Sequence, residues 1–85
     1  MNYELRSIDA WLDWGGWYWN NSSLLEEDIY IAEGTTGDEL HAFIYRNFIR
    51  PEWPSDSIRV VDDGEIIEVL NSEDDKPILA LICVD

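Results

Sequence analysis

Apolar positions along the chain follow two different periods. From Leu40 to Phe48 they recur at helical spacing, with Leu40, Phe43, Ile44 and Phe48 on one stripe. Thr36 stands three residues before Glu39, the spacing of a capping box, and Asp38 adds negative charge to the first turn. Arg46 and Arg50 suit the negative C-terminal end, and Pro51 and Pro54 stop the helix. After the prolines the pattern shortens to alternation. Ser57 to Asp62 and Glu65 to Leu70 flank Asp63-Gly64, a dipeptide favoured in two-residue turns with positive φ. With those two residues as the loop, Val61 faces Ile66, Val60 faces Ile67, Arg59 faces Glu68 and Ile58 faces Val69. Ile58, Val60, Ile67 and Val69 then share one face, and Arg59 with Glu68 forms an opposite-charge pair on the other.

The charged turn Ser72 to Lys76 leads into Ile78 to Val84. That run is apolar on both faces, which places it centrally in a sheet or under the helix. In the N-terminal third, Tyr3 to Ile8 and Trp17 to Trp19 read as strands, and Asp28 to Glu33 contains a short one, Ile29-Tyr30-Ile31. Leu24-Leu25 extends the last of these backwards, and Trp14-Gly15-Gly16-Trp17 reads as a turn. Strands, one helix, then three strands predict an α+β class: an antiparallel β-sheet of about five strands with one helix packed on a face, in a single domain over residues 1–85.

Composition changes this picture mainly through charge. The chain is 46% hydrophobic and 13% aromatic with five tryptophans, which excludes a disordered acidic tail. Yet 19 Asp and Glu stand against 5 Lys and Arg, a formal net charge of −14. Such a field repels nucleic acid and anionic membranes, so the expected partner is a basic protein surface, with no direct nucleic-acid or membrane binding. Cys83 is alone in an apolar run and reads as a small buried hydrophobe, in keeping with a reducing compartment. Met1 to Arg6 lacks the apolar stretch of a signal peptide, and the sequons in Asn20-Asn21-Ser22-Ser23 are expected to be silent.

Little in the sequence points to catalysis. His41 is the only histidine, lies off the apolar stripe and is expected to face solvent. Ser22 and Ser23 lack a nucleophile-elbow pattern, and Cys83 has no evident histidine partner. Asp62-Asp63-Gly64-Glu65 lacks the spacing of a calcium loop, and Glu73-Asp74-Asp75 runs into Lys76 and Pro77. The chain reads as a non-enzyme without cofactor or metal.

Two features point instead to binding. No base occurs from Glu26 to Glu39 or from Asp62 to Asp75. A domain of this size is roughly 30 Å across, and duplex DNA of that length carries on the order of 18 charges, comparable with this chain. Acids gathered on one side would imitate DNA for a basic groove, whereas acids spread evenly would serve solubility. The candidate contact residues are Glu26, Glu27 and Asp28; Asp62, Asp63, Glu65 and Glu68; and Glu73, Asp74 and Asp75. The second feature is aromatic: Trp11, Trp14, Trp17, Tyr18 and Trp19 fall close together, and Trp53 follows the helix. At least half of these are expected in the core, with Trp14 or Trp53 exposed as an anchor.

Tyr3-Glu4-Leu5-Arg6-Ser7-Ile8-Asp9-Ala10-Trp11, followed by Gly15-Gly16-Trp17-Tyr18-Trp19-Asn20-Asn21-Ser22, resembles the start of small uncharacterised proteins carried by phages and mobile elements of Gram-positive bacteria. The likeness covers about the first third and brings no defined active site. By size and acidity the chain is also similar in type to phage anti-CRISPR proteins and the DNA mimics that block restriction enzymes. That resemblance implies an inhibitor, in the cytoplasm of a bacterial host, that covers the DNA-binding or target-recognition surface of a CRISPR effector or restriction nuclease. The alternative is a small adaptor that meets its partner through a tryptophan-rich face, with charge serving solubility.

Overall fold

The computed structural model covers residues 1–85. Its elements are β1 (Asn2–Asp13), β2 (Gly16–Tyr30), α1 (Gly37–Phe48), a short 3-10 turn (Ser55–Ser57), β3 (Ile58–Asp62), β4 (Ile66–Asn71) and β5 (Pro77–Cys83). The five strands form one antiparallel sheet in the order β2-β1-β5-β4-β3, with the helix on one face. The expected α+β class is therefore the observed one. The Cα radius of gyration is 12.4 Å, and the longest extent is 36 Å.

Alternation decides which residues meet the helix. Tyr3 and Leu5 of β1, Leu81 of β5, Ile67 and Val69 of β4 and Ile58 of β3 point to the same side, where Leu40 and Ile44 of α1 close over them. Phe43, Phe48 and Val60 pack at the margin of this core. The doubly apolar run Pro77–Cys83 is the central strand, as its pattern requires: Leu81 faces the helix, while Ala80 is fully buried on the other face.

Three local expectations are corrected. The β3–β4 loop turns one residue later than Asp63-Gly64. Asp63 N–H donates to Ile66 O, leaving Gly64, at φ +99°, and Glu65 as the central pair. Moving a turn by one residue slides the register by two, so Val60 faces Val69 and Arg59 faces Leu70. Two is the pleat period, so the apolar face survives, but the Arg59–Glu68 pair does not form. Thr36 makes no capping hydrogen bond. Gly37 enters the helix at φ +57°, which departs from the backbone geometry of a capping box. His41 does not face solvent freely: its half-buried Nε2 lies 3.2 Å from Ile58 O, and since a carbonyl only accepts, Nε2 carries the proton.

The largest difference lies in the first third. The expected separate strands merge into one hairpin with a turn at Trp14-Gly15. β1 pairs with β5 only from Tyr3 to Ser7, so from Ile8 onward the hairpin leaves the body of the sheet. Register shifts at Tyr3/Leu5, Leu5/Arg6 and Asp9/Ala10 each insert one extra residue into β2. Bulges confined to one strand bend and twist a ribbon. Here the hairpin curls over the face opposite the helix: Trp17 Nε1 donates to Asp74 O at 2.8 Å and Trp19 Nε1 to Glu68 Oε2 at 3.1 Å. Glu68 is the cross-strand partner of Ala80, so the curl roofs that buried residue.

Candidate functional site

All 19 acids are at least partly exposed, since no buried residue is charged. Two of them meet a basic side chain. Arg59 Nη2 lies 2.9 Å from Asp75 Oδ1, and Arg6 Nη1 lies 3.3 Å from Glu4 Oε1. The remaining charge is uncompensated by contact, and the topology decides where it goes.

The register runs unbroken across the sheet from Glu26 through Leu5, Leu81 and Ile67 to Asp62. Glu26, Glu27 and Asp28 therefore lie on the β2 edge at the same end of the sheet as Asp62, Asp63 and Glu65 near the β3 edge. Val84 N–H donates to Asn2 O and Cys83 N–H to Glu65 O, which ties the row together. Asp85 also sits there, its carboxylate accepting from Asn2 N–H at 3.0 Å, which holds its pKa below the usual carboxylate range. The helix starts at this end too. Glu33 lines a shallow cleft with Tyr3, Asp62 and Gly64, and Asp38 lines another with Asp62.

Two arginines approach this end, and each is already paired: Arg6 reaches Glu4, in the row with Ile82 and Ile66, and Arg59, which lines the cleft with Asp38 and Asp62, is held by Asp75. Arg46 and Arg50 are at the helix C-terminus, where Arg50 packs near Ile78 and Leu79 at the opposite end of β5. Arg59 and Lys76 flank the β4–β5 turn, and Arg6, next to Leu5 in β1, is held by Glu4 and by Ser22 Oγ. The Met1 ammonium also lies at the acidic end, where it donates to Ile31 O. One end of the molecule thus gathers acids that no lysine or arginine pairs with, Glu4 excepted.

The twelve expected contact residues divide accordingly. Glu26, Glu27, Asp28, Asp62, Asp63 and Glu65 come together. Glu68 lies in mid-sheet under Trp19, while Glu73, Asp74 and Asp75 occupy the turn at the far end with Trp53. Trp14 tips the hairpin, beyond the end of the sheet where β1 parts from β5. Several of these acids already have structural work. Asp62 Oδ1 accepts from Gly64 N–H, Asp63 Oδ1 from Ile66 N–H and Asp74 Oδ1 from Lys76 N–H, each closing its own turn. Glu26, Glu27, Asp28, Glu65 and Glu73 have no side-chain partner and remain free for one. Glu33, Asp38 and Asp85 were missed by the sequence reading, because only the placement of the helix start and last strand brings them to the acidic end.

The tryptophans correct another expectation, since none of the five enters the buried core. Trp14 is wholly exposed, while Trp11 and Tyr18 stack on the hairpin at 5.5 Å between ring centroids and are both about half exposed. Gly15 lies beneath the Tyr18 hydroxyl, where an added Cβ would stand 2.5 Å from that oxygen. The core is filled instead by Ile, Leu, Val and Tyr3, leaving these rings on an arm outside it. Cys83 is likewise only half buried, with Sγ 3.5 Å from Asp85.

No group of three or more His, Cys, Asp or Glu side chains is placed to hold a metal ion, and no helix is long and apolar enough to cross a membrane. Comparison with protein-family models, curated proteins and solved structures finds no match.

Proposed function

We propose that this chain is an inhibitor of the anti-CRISPR or restriction-blocking type, which docks its acidic end onto the basic nucleic-acid-binding surface of a host nuclease. The observation that carries the reading is the end of the sheet that gathers Glu26, Glu27, Asp28, Asp62, Asp63 and Glu65, none of them paired with a lysine or arginine. Four strand spacings separate β2 from β3, about 19 Å. Duplex DNA presents on the order of 11 charges over that length. With Glu33, Asp38 and Asp85 the acidic end offers nine carboxylates, so its linear charge is of the same size. Self-repulsion makes such crowding costly to the free domain, and a basic groove relieves that cost on binding.

A second reading rests on the hairpin arm. Trp11, Leu12, Trp14 and Tyr18 present exposed apolar surface far from the acidic end, as an adaptor that binds through aromatic contacts would. The experiment that separates the two adds the purified chain to a panel of CRISPR effectors and restriction enzymes and measures their binding to labelled DNA at low and physiological salt. Loss of DNA binding that weakens steeply with salt supports the acidic inhibitor. Salt-insensitive capture of a partner that leaves DNA binding intact supports the adaptor.

A further inference from the structure

The end of the molecule opposite the acidic row carries a concave site of different character. A groove of about 470 Å³ opens between the post-helix loop and the β4–β5 turn, lined by Trp53, Asp56, Ser57, Asn71, Glu73 and Ile78, with Ser72 completing the rim. That volume lies within the range of about 300–1,000 Å³ common for small-ligand sites. Its walls are fixed by hydrogen bonds. Tyr45 Oη donates to Trp53 O at 2.6 Å, and Trp53 N–H donates to Arg50 O. Ser72 bridges the two sides, its N–H donating to Ser57 O and its hydroxyl to Asp56 O.

The charged groups left over in this frame are both anions, beside which the Asn71 amide, the Trp53 indole N–H and the Ser57 hydroxyl keep hydrogen-bonding capacity of their own. The Asp56 and Glu73 carboxylates have neither an ion-pair nor a hydrogen-bond partner, and the Ser57 hydroxyl oxygen is buried and unpartnered. Beside them stand the half-exposed Trp53 ring and Ile78. We infer that this groove binds the guanidinium of an arginine side chain, stacked on Trp53 and paired with Asp56 and Glu73. A guanidinium is all donor and no acceptor, lies flat on an indole and forks onto carboxylates. Its aliphatic stem matches Ile78. Anions are repelled, and an ammonium, more strongly hydrated and lacking the planar fork, gains less from the same walls. Arg50 lines an adjoining apolar groove that shares Trp53 and Ile78, and it forms no ion pair, while Arg59 is held by Asp75, so neither internal cation pairs with Asp56 or Glu73. The site stands whether or not the acidic end blocks a nuclease.

The test uses the free chain, labelled with ¹⁵N, and N-acetyl-arginine amide as the probe. Saturable shifts of the Trp53 indole N–H and the Ser72 and Glu73 amides are expected, with those of Trp14 and Glu26 unmoved. Trp53→Ala should weaken binding about fivefold, the loss of one cation–π contact. Glu73→Gln is the second variant, is not expected to disturb folding, and should weaken binding by a similar factor. N-acetyl-lysine amide should bind at least several-fold more weakly than the arginine probe. The inference is overturned by shifts that fail to saturate, by equal binding of the lysine probe or a neutral sugar, or by full affinity in Glu73→Gln.

Discussion

The acidic-end reading makes its sharpest prediction for a charge reversal chosen to leave the fold alone. Asp62 and Asp63 are unsuitable, because their carboxylates close the β3–β4 turn. Glu26 and Glu27 on the β2 edge, and Glu65 in the turn, are exposed and make no side-chain contact. Converting all three to Lys changes the net charge from −14 to about −8, two units per residue. An exposed ion pair contributes roughly 0.5 kcal/mol, and a reversal replaces that attraction with a repulsion of similar size. Each substitution therefore costs about 1 kcal/mol, and the three about 3, on the order of a 100-fold loss of affinity. The assay is competition with labelled DNA for the effector that the panel identifies, across a salt series. The loss should be largest at low salt and shrink as the Debye length falls to about 8 Å at physiological ionic strength. Less self-repulsion should leave the melting temperature unchanged or higher, which shows that the variant is folded. Two far-end controls, Glu73→Lys and Trp14→Ala, should each cost less than about threefold. A folded triple variant that keeps its affinity within threefold refutes the mechanism, and a large loss in Trp14→Ala transfers it to the hairpin.

Two further predictions concern the fold that displays these surfaces. Leu81 is fully buried in the central strand, so Leu81→Ala should cost about 2–5 kcal/mol, a large share of the roughly 5–15 kcal/mol that holds a domain together. Leu12→Ala on the exposed arm should change stability by less than about 0.5 kcal/mol, and urea melts of the two variants check the contrast. Burial raises the Tyr3 hydroxyl pKa above 10, with the charges of Cys83, Asp62 and Asp85 adding to the effect. Its contribution to stability is complete below the unfolded pKa of about 10 and is lost as pH rises through the higher folded value. Wild type should therefore lose more stability than Tyr3→Phe between about pH 9.5 and 11.5, which denaturant midpoints across that range measure.

Much of the helix and of the last three strands was legible because burial there is one-sided or complete. Leu40 and Ile44 mark the helix by period, and Ile78 to Val84 marks a central strand by having no polar face. The β3–β4 turn was misplaced by one residue because Asp63 N–H and the Asp62 and Asp63 carboxylates organise it, and a dipeptide rule does not weigh those bonds. The hairpin was read as fragments for a different reason. From Asn20 to Asp28 the edge strand faces water on both sides and on one flank, so no alternation records it, and its bulges erase what period remains. The tryptophans were read towards the core because large aromatics dominate small cores. The arm that carries them outside is a product of pairing, which composition does not express. The acidic end was half legible: the two acidic stretches are visible in the sequence, but their meeting depends on the order β2-β1-β5-β4-β3.

Glu26, Glu27 and Asp28 admit a structural reason of their own. They sit on an exposed edge strand, and charge with bulges keeps such an edge from pairing with another chain. Asp28 holds φ +57°, a conformation Asp tolerates better than most side chains and one that ends regular pairing locally. If edge protection were the whole account, acids would line both edges wherever backbone is unpaired and avoid turns that have no edge to defend. Glu65 does not fit that pattern, because it lies in the β3–β4 loop and gives its own carbonyl to Cys83. Asp38 lies on the helix and Asp85 follows β5, so neither guards an edge. What Glu26, Glu65, Asp38 and Asp85 share is the end of the sheet they occupy. The two arginines that come near are taken by Glu4 and Asp75, and none pairs with Glu26, Glu65, Asp38 or Asp85. Edge protection accounts for three acids and solubility for any; neither accounts for the concentration of unpaired acids at one end, which is the feature the proposed basic partner would use.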